Sequence, residues 1–202
     1  MKSVVPDPLS AEDADPRRAA ILTAATEVFA RYGFKRTSME DIASAAGLSR
    51  TALYQYYRSK QDIFRSLVGW YFGQVVTRVE TALEPGLPPE RALAAAFAAK
   101  LGPEMRLLLD SPHGEELMDG GFDAASDLVA EGERRVATLL EQWLLNEAGA
   151  GRITLPDDDA AALAAMMVAA LHGLKMTPGI GYDPLLASMG RLAALFGRGL
   201  RP

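Results

Sequence analysis

The chain has 202 residues and a net charge of −5, with 49% apolar and 23% charged residues, a composition that allows a sizeable buried core and is ordinary for a soluble globular protein. It has no cysteine, which excludes disulfides, thiolate metal sites and a cysteine nucleophile, and suits a reducing compartment. The start, MKSVVPDPLSAEDADP, lacks the apolar stretch of about 7–15 residues of a signal peptide, and no run of about 18 apolar residues follows, so the reading is cytoplasmic, with no membrane partner.

Residues 1–15 are polar, carry two prolines before Asp15 and show no periodicity, so they read as a flexible tail. Asp15-Pro16 is a helix start, a capping carboxylate followed by proline at the first helical position. Ile21, Ala24, Ala25, Val28, Phe29 and Tyr32 then recur at helical spacing and predict one apolar face, closed by Gly33. Ser38-Met39-Glu40-Asp41 has the form of a capping box and predicts a short helix to Ala46, with Met39, Ile42, Ala43 and Ala46 inward. Gly47 stops it, Leu48 lies in the turn, and Ser49 caps a helix over about 50–57 with Leu53 and Tyr57 on its buried side. Ser59-Lys60-Gln61-Asp62 repeats the capping pattern and opens a long helix to about Leu83.

Beyond the break at Pro85-Gly86-Leu87-Pro88-Pro89, helices are predicted near 89–109, 112–119, 122–148, 157–176 and 183–200. Pro103 should kink or interrupt the first of these. Asp157, Asp158 and Asp159 open the fourth. They suit the helix dipole better than a metal, because three adjacent acids on a helix point in different directions. No stretch alternates as a strand. The fold class is all-α, about nine helices, with an N-terminal three-helix domain at 16–65 and a C-terminal helical bundle at 66–202.

Charge is unevenly spread. Residues 16–65 hold nine Lys and Arg against four Asp and Glu, and the rest of the chain holds twelve against twenty-two. A basic module on an acidic body suggests that the module meets a polyanion. A short helix, a glycine turn and a second capped helix form a helix-turn-helix pattern, whose second helix enters the major groove of DNA. That geometry turns Arg50, Thr51, Ala52, Tyr54, Gln55 and Tyr56 outward. Arg50 has the bidentate fork for guanine, and Gln55 the amide for adenine. Ser49, Tyr54, Tyr56 and Lys60 suit phosphate oxygens. Tyr54 and Tyr56 cannot both share the buried face of Tyr57.

The pattern T-S-M-E-D-I-A-x-x-A-G-L-S-x-x-x-L-Y-x-Y-Y-x-S-K-x-x-I-F, preceded by A-A-x-x-V-F-A-x-Y-G-F, resembles the DNA-binding region of the TetR family of bacterial transcriptional regulators. The resemblance covers residues 17–64, with Tyr56-Tyr57 a mild departure from the family's usual aromatic pair. It implies a homodimer reading a palindromic operator in double-stranded DNA, and a C-terminal bundle whose small-molecule ligand re-spaces the reading heads. By it, Ser38 and Met39 lie where the family touches the DNA backbone. Arg50, Thr51 and Ala52 lie where it reads bases, and Tyr54, Tyr56 and Lys60 at its phosphate positions. The last two helices would supply the dimer interface through Leu163, Met167, Leu171, Leu174, Met189, Leu192, Leu195 and Phe196.

The body offers Trp70, Met105, Met118, Phe122 and Met166 as candidate lining for a hydrophobic ligand, since methionine adapts to varied shapes, with His172 as a polar anchor. Plain core packing is the competing reading for each. The expectation is a dimeric transcriptional regulator, a repressor released by a small hydrophobic ligand, with no cofactor and no metal. The rival readings are a ligand-independent regulator or activator with a filled core, and an all-α enzyme. The enzyme is disfavoured by the absence of a defensible nucleophile–base pair.

Overall fold

The computed structural model describes residues 15–117, 124–155 and 159–202. The tail at 1–14, Met118, Phe122, Asp157 and Asp158 lie outside the described residues. Ten helical segments and no strand occur among the described residues: α1 (Pro16–Tyr32), α2 (Met39–Ala45), α3 (Arg50–Tyr56), α4 (Lys60–Ala82), α5 (Pro89–Leu101), α6 (Glu104–Leu109), the single turn α7 (Gly114–Glu116), α8 (Ser126–Gly149), α9 (Ala160–Lys175) and α10 (Tyr182–Gly199). The all-α expectation is met. The helix predicted over 89–109 is two, α5 and α6, separated at Gly102-Pro103, where proline removes a backbone donor and Gly102 takes φ 66°. None of these helices is long and apolar enough to cross a membrane.

The chain divides into two compact units, Met1–Gln74 with Leu107–Ala130, and Val75–Arg106 with Glu131–Pro202. In the first unit, Ile21, Ala25 and Phe29 of α1, Ile42 and Ala43 of α2, Leu53 of α3 and Ile63 and Phe64 of α4 are all buried, with α1 packed on α2 and α2 on α3 in this unit's core. Its centre is aromatic: the rings of Phe29, Phe34 and Phe64 lie 5.4, 5.8 and 5.3 Å apart, tilted or edge-on. Leu117, Ala125 and Leu128 from the second stretch of this unit are buried as well. Tyr32 departs from the predicted face of α1. It is 45% exposed, and Ala30 takes an inward place at the end of the helix.

In the second unit α10 packs along α5. A Cβ on Gly197 would lie 2.5 Å from the Glu90 backbone, so glycine here permits the close approach of two helices. Phe97 meets Phe196 edge-on at 6.4 Å. Asp159 caps α9 by accepting the Ala162 amide at 2.8 Å, as the acidic start suggested.

Candidate nucleic-acid interface

The outward face of α3 is a consequence of how its inward face is held. Ser38 and Asp41 form the predicted capping box: the Ser38 amide donates to Asp41 Oδ2 at 2.8 Å, and the Asp41 amide donates to Ser38 Oγ at 3.2 Å. The Ser38 hydroxyl also donates to the Asp41 carboxylate at 2.6 Å, which lowers the Asp41 pKa. Gly47 turns the chain at φ 66°, and the Leu48 amide donates to the Ala43 carbonyl at 2.9 Å. Ser49 Oγ then accepts the Ala52 amide at 3.1 Å and starts α3. Leu53 is fully buried and Tyr57 is 6% exposed, which fixes the roll of the helix. Arg50, Thr51, Tyr54 and Gln55 are left exposed, and Ala52 and Tyr56 half-buried. Ser38 and Ser49 are exposed at the two helix starts, and Met39 is half-buried beside Ser38.

The exposed side chains have a local order. The Arg50 guanidinium lies 5.6 Å from the Tyr54 ring centroid, and hydrogen bonding to Tyr54 raises its pKa further above neutrality. Its distance to Glu40 is 3.8 Å with both side chains mostly in solvent, a weak tether. Tyr56 similarly engages Arg17 of α1 through a side-chain hydrogen bond, which raises the Arg17 pKa. No motif in the sequence marks Arg17. A basic residue in the first turn of the preceding helix is the signal that points to it.

Lys60 is placed differently from the phosphate-facing expectation. Its ammonium donates to the carbonyls of Phe34, Lys35 and Thr37 at 2.7, 3.0 and 2.8 Å, and it lies 4.9 Å from the Phe34 ring centroid. An ammonium has three donors, so all are engaged here in closing the loop between α1 and α2. Thr37 joins this closure by donating its hydroxyl to the Gly33 carbonyl at 2.7 Å. Glu116 of α7, which no sequence motif marks, accepts the Lys35 amide at 2.8 Å.

The body residues separate. Met105 is buried, but Trp70 and Met166 are 42% and 57% exposed, and His172 is exposed too. Trp70, Met166 and His172 are therefore not lining an interior in this structure; on α9 the inward positions belong to Leu163, Met167, Leu171 and Lys175. Of the residues expected between subunits, Leu163, Met167, Leu171 and Met189 are buried within the chain itself. Leu174, Leu192 and Phe196 are half-buried, and Leu195 is 60% exposed. Among the described residues no group of acids and histidines is arranged to hold a metal.

Residues 21–67 match the family model described as bacterial regulatory proteins, tetR family. The N-terminal domain is of the TetR family. The matched residues of this TetR-family head take in most of α1, all of α2 and α3, and the start of α4. Over 85 residues the chain is 34% identical to the transcriptional activator FasR of Mycolicibacterium smegmatis, covering 42% of this chain and 39% of that protein. Over 73 residues it is 34% identical to the transcriptional repressor KstR2 of the same organism, covering 34% of this chain and 36% of that one. The chain thus spans well under half the length of these curated relatives. Beyond the TetR-family head the likeness is one of fold. A transcriptional regulator from Cytophaga hutchinsonii superposes with a TM-score of 0.75 at 18% identity, covering 93% of this chain and all of that one. The fatty acid degradation regulator FadR from Bacillus halodurans does so with 0.71 at 21%, covering 92% and 97%.

Proposed function

We propose that the protein is a dimeric, cytoplasmic, DNA-binding transcriptional repressor, released from a palindromic operator by a small hydrophobic ligand. One observation carries this reading: α3 is anchored by Leu53 and Tyr57, so that Arg50, Thr51, Tyr54 and Gln55 face solvent together on a locally basic module. In this reading Arg50 reads guanine and Gln55 adenine, with Thr51 and Ala52 against base edges. Ser38, Met39, Ser49, Tyr54 and Tyr56 meet the phosphate backbone. Lys60 acts as a positioning residue, holding the 34–37 loop from which Ser38 projects.

The dimer uses α9 and α10. Their outward stripes carry Ala162, Ala165, Met166 and Ala169 on one and Ala187, Gly190 and Leu195 on the other, all exposed. Small residues let backbones approach, and exposed Met166 and Leu195 supply the apolar area. The ligand works by population shift, binding better to the form whose two heads do not match successive major grooves.

Selection of bound duplexes from a random pool tests this directly. An inverted repeat with half-site centres about 34–36 Å apart is expected. No enrichment, or enrichment of single unpaired sites, would overturn it. The sign of regulation is a separate matter, since the FasR and KstR2 likenesses are equal in identity and opposite in sign. A reporter placed behind the selected operator decides it. Repression relieved on deletion supports our reading, and expression lost on deletion makes the protein an activator.

A further inference from the structure

The nine cations of residues 16–65 are not equally occupied. Arg50 lies over the Tyr54 ring, Arg31 lies 5.9 Å from the Tyr32 ring centroid, and Arg17 bonds to Tyr56. Arg65 holds Asp127, Lys60 gives its three donors to backbone carbonyls, and Arg18 is engaged as well. The remaining three are Lys35, Arg36 and Arg58. All three are exposed, and none of their side chains has a hydrogen bond, an ion pair or a ring contact among the described residues.

These three cations come from two stretches of chain, and Lys60 joins the stretches. Its ammonium bonds to the carbonyls of Lys35 and Thr37, on either side of Arg36, and Arg58 precedes it by two residues. Consecutive Cα atoms are about 3.8 Å apart, so Arg58 lies within about 7.6 Å of Lys60, and Arg36 within about 7.6 Å of Ser38, measured between Cα atoms. The acids bonded at this loop are already taken: Asp41 accepts from Ser38, and Glu116 accepts the Lys35 amide. Asp62 acts on Arg65. Like charges gathered without an internal counterion favour one from outside. The loop is also held in advance by Lys60, by Glu116 and by the bond from the Thr37 hydroxyl to the Gly33 carbonyl, so its backbone need not be ordered when a ligand arrives.

We propose that Lys35, Arg36 and Arg58 form a phosphate clamp beside the helix-turn-helix, in the role that Lys60 leaves open by closing the loop. The occupant is the sugar-phosphate backbone of duplex DNA, next to the phosphate that Ser38 meets. Successive phosphates of one strand are spaced about 3.4 Å along the helix axis, so cations on neighbouring residues suit a short run of them. The clamp adds affinity and fixes register, and it reads no base. This rests on the DNA-binding reading above and extends its footprint beyond α2 and α3.

The test is fluorescence anisotropy of the full chain on the selected operator duplex and on an unrelated duplex of equal length, over about 50 to 200 mM salt. Each lost phosphate contact lowers the slope of log affinity against log salt by about 0.9. A variant carrying Lys35→Gln, Arg36→Gln and Arg58→Gln should lose roughly two to three from that slope for each head bound. At any one salt it should weaken on both duplexes by the same factor, and it should keep the base preference and melting temperature of the wild type. The swap of Lys35→Arg, Arg36→Lys and Arg58→Lys keeps the charges and should bind as the wild type does, since a phosphate accepts from either cation. A slope lowered by less than about one for each head, a loss confined to the operator, or a swap variant that also loses slope would each overturn the clamp. Failure of the DNA-binding reading is told apart in the wild type, which would then bind neither duplex at the lowest salt and would take the clamp with it.

Discussion

Lys60 and Phe34 are joined twice, by a hydrogen bond of 2.7 Å from the ammonium to the backbone carbonyl and by the approach of the same ammonium to within 4.9 Å of the ring. The residue that opens α4 thereby closes the loop leading into the helix-turn-helix. Lys60→Met should destabilise the first unit by about 2 kcal/mol, since hydrogen bonds to a charged group contribute roughly 1.5–3 kcal/mol each and water replaces part of them. Thermal melting measures this. Operator affinity should fall, while the slope of log affinity against log salt stays as in the wild type. A slope reduced by about one would instead mean a direct phosphate contact.

Arg50→Ala should cost about 1–3 kcal/mol of operator binding and relax the preference at one base pair in each half-site. Arg50→Lys keeps the charge and loses the fork, so it should retain salt dependence while losing base preference. Gel shifts on the selected duplex and on its single-base variants separate the two effects. Identical discrimination by all three proteins would remove Arg50 from base reading.

Two glycines should fail for different reasons when changed to alanine. Gly47 has φ 66° and nothing within 4 Å of where a methyl would stand, so Gly47→Ala meets backbone strain alone, about 1 kcal/mol. Gly197 is helical, but its methyl would meet the Glu90 backbone at 2.5 Å, so α5 and α10 must separate. Overpacking of this kind costs about 1–3 kcal/mol. Denaturant midpoints should therefore fall further for Gly197→Ala than for Gly47→Ala.

Stability should respond to pH at both ends of the scale. The Asp127 carboxylate accepts two bonds of 2.7 Å from Arg65, and that hydrogen bonding holds its pKa near 2, below its ordinary value of 3.8. A lowered acid pKa gives stability that is present above the unfolded value and lost as pH falls through about 4 to 2. Asp127→Asn should remove that acid-labile part of the melting temperature. Lys175 works in the opposite direction. With a folded pKa of about 8 against 10.5, the unfolded chain binds the extra proton between those values, so this lysine alone makes stability rise from pH 8 toward 10.5. Lys175→Met should flatten that rise and raise the melting temperature at neutral pH.

The features legible in the sequence are local ones. The Ser38–Asp41 box, the Ser49 cap and the left-handed Gly47 each involve residues within four positions of one another, and local chemistry suffices to place them. The break at Gly102-Pro103 is of the same kind. What escapes a sequence reading spans distance. Lys60 finds its carbonyls 23 to 26 residues back, and Lys35 finds Glu116 81 residues on. Periodicity alone also does not say which apolar stripe of α4 or α9 faces inward, so the expectation of an interior position fails for Trp70 and Met166. Lys100 within AFAAKL and Lys175 within LHGLKM do carry a signal, a cation on an otherwise apolar helix face.

The loop contacts around Gly33 bear on how such heads can be transplanted. Its φ of 79° strains any other residue, and the Glu116 carboxylate, 2.5 Å from where a Cβ would stand, would have to leave its place to admit one. That carboxylate, with Leu117, Ala125 and Leu128, comes from a stretch of chain more than forty residues beyond the helix-turn-helix. A chimaera that swaps operator preference by grafting residues 16–65 alone would leave the Lys35 amide and the Arg65 guanidinium without their acceptors. The interchangeable cassette is discontinuous, and a working graft has to carry residues 107–130 along with it.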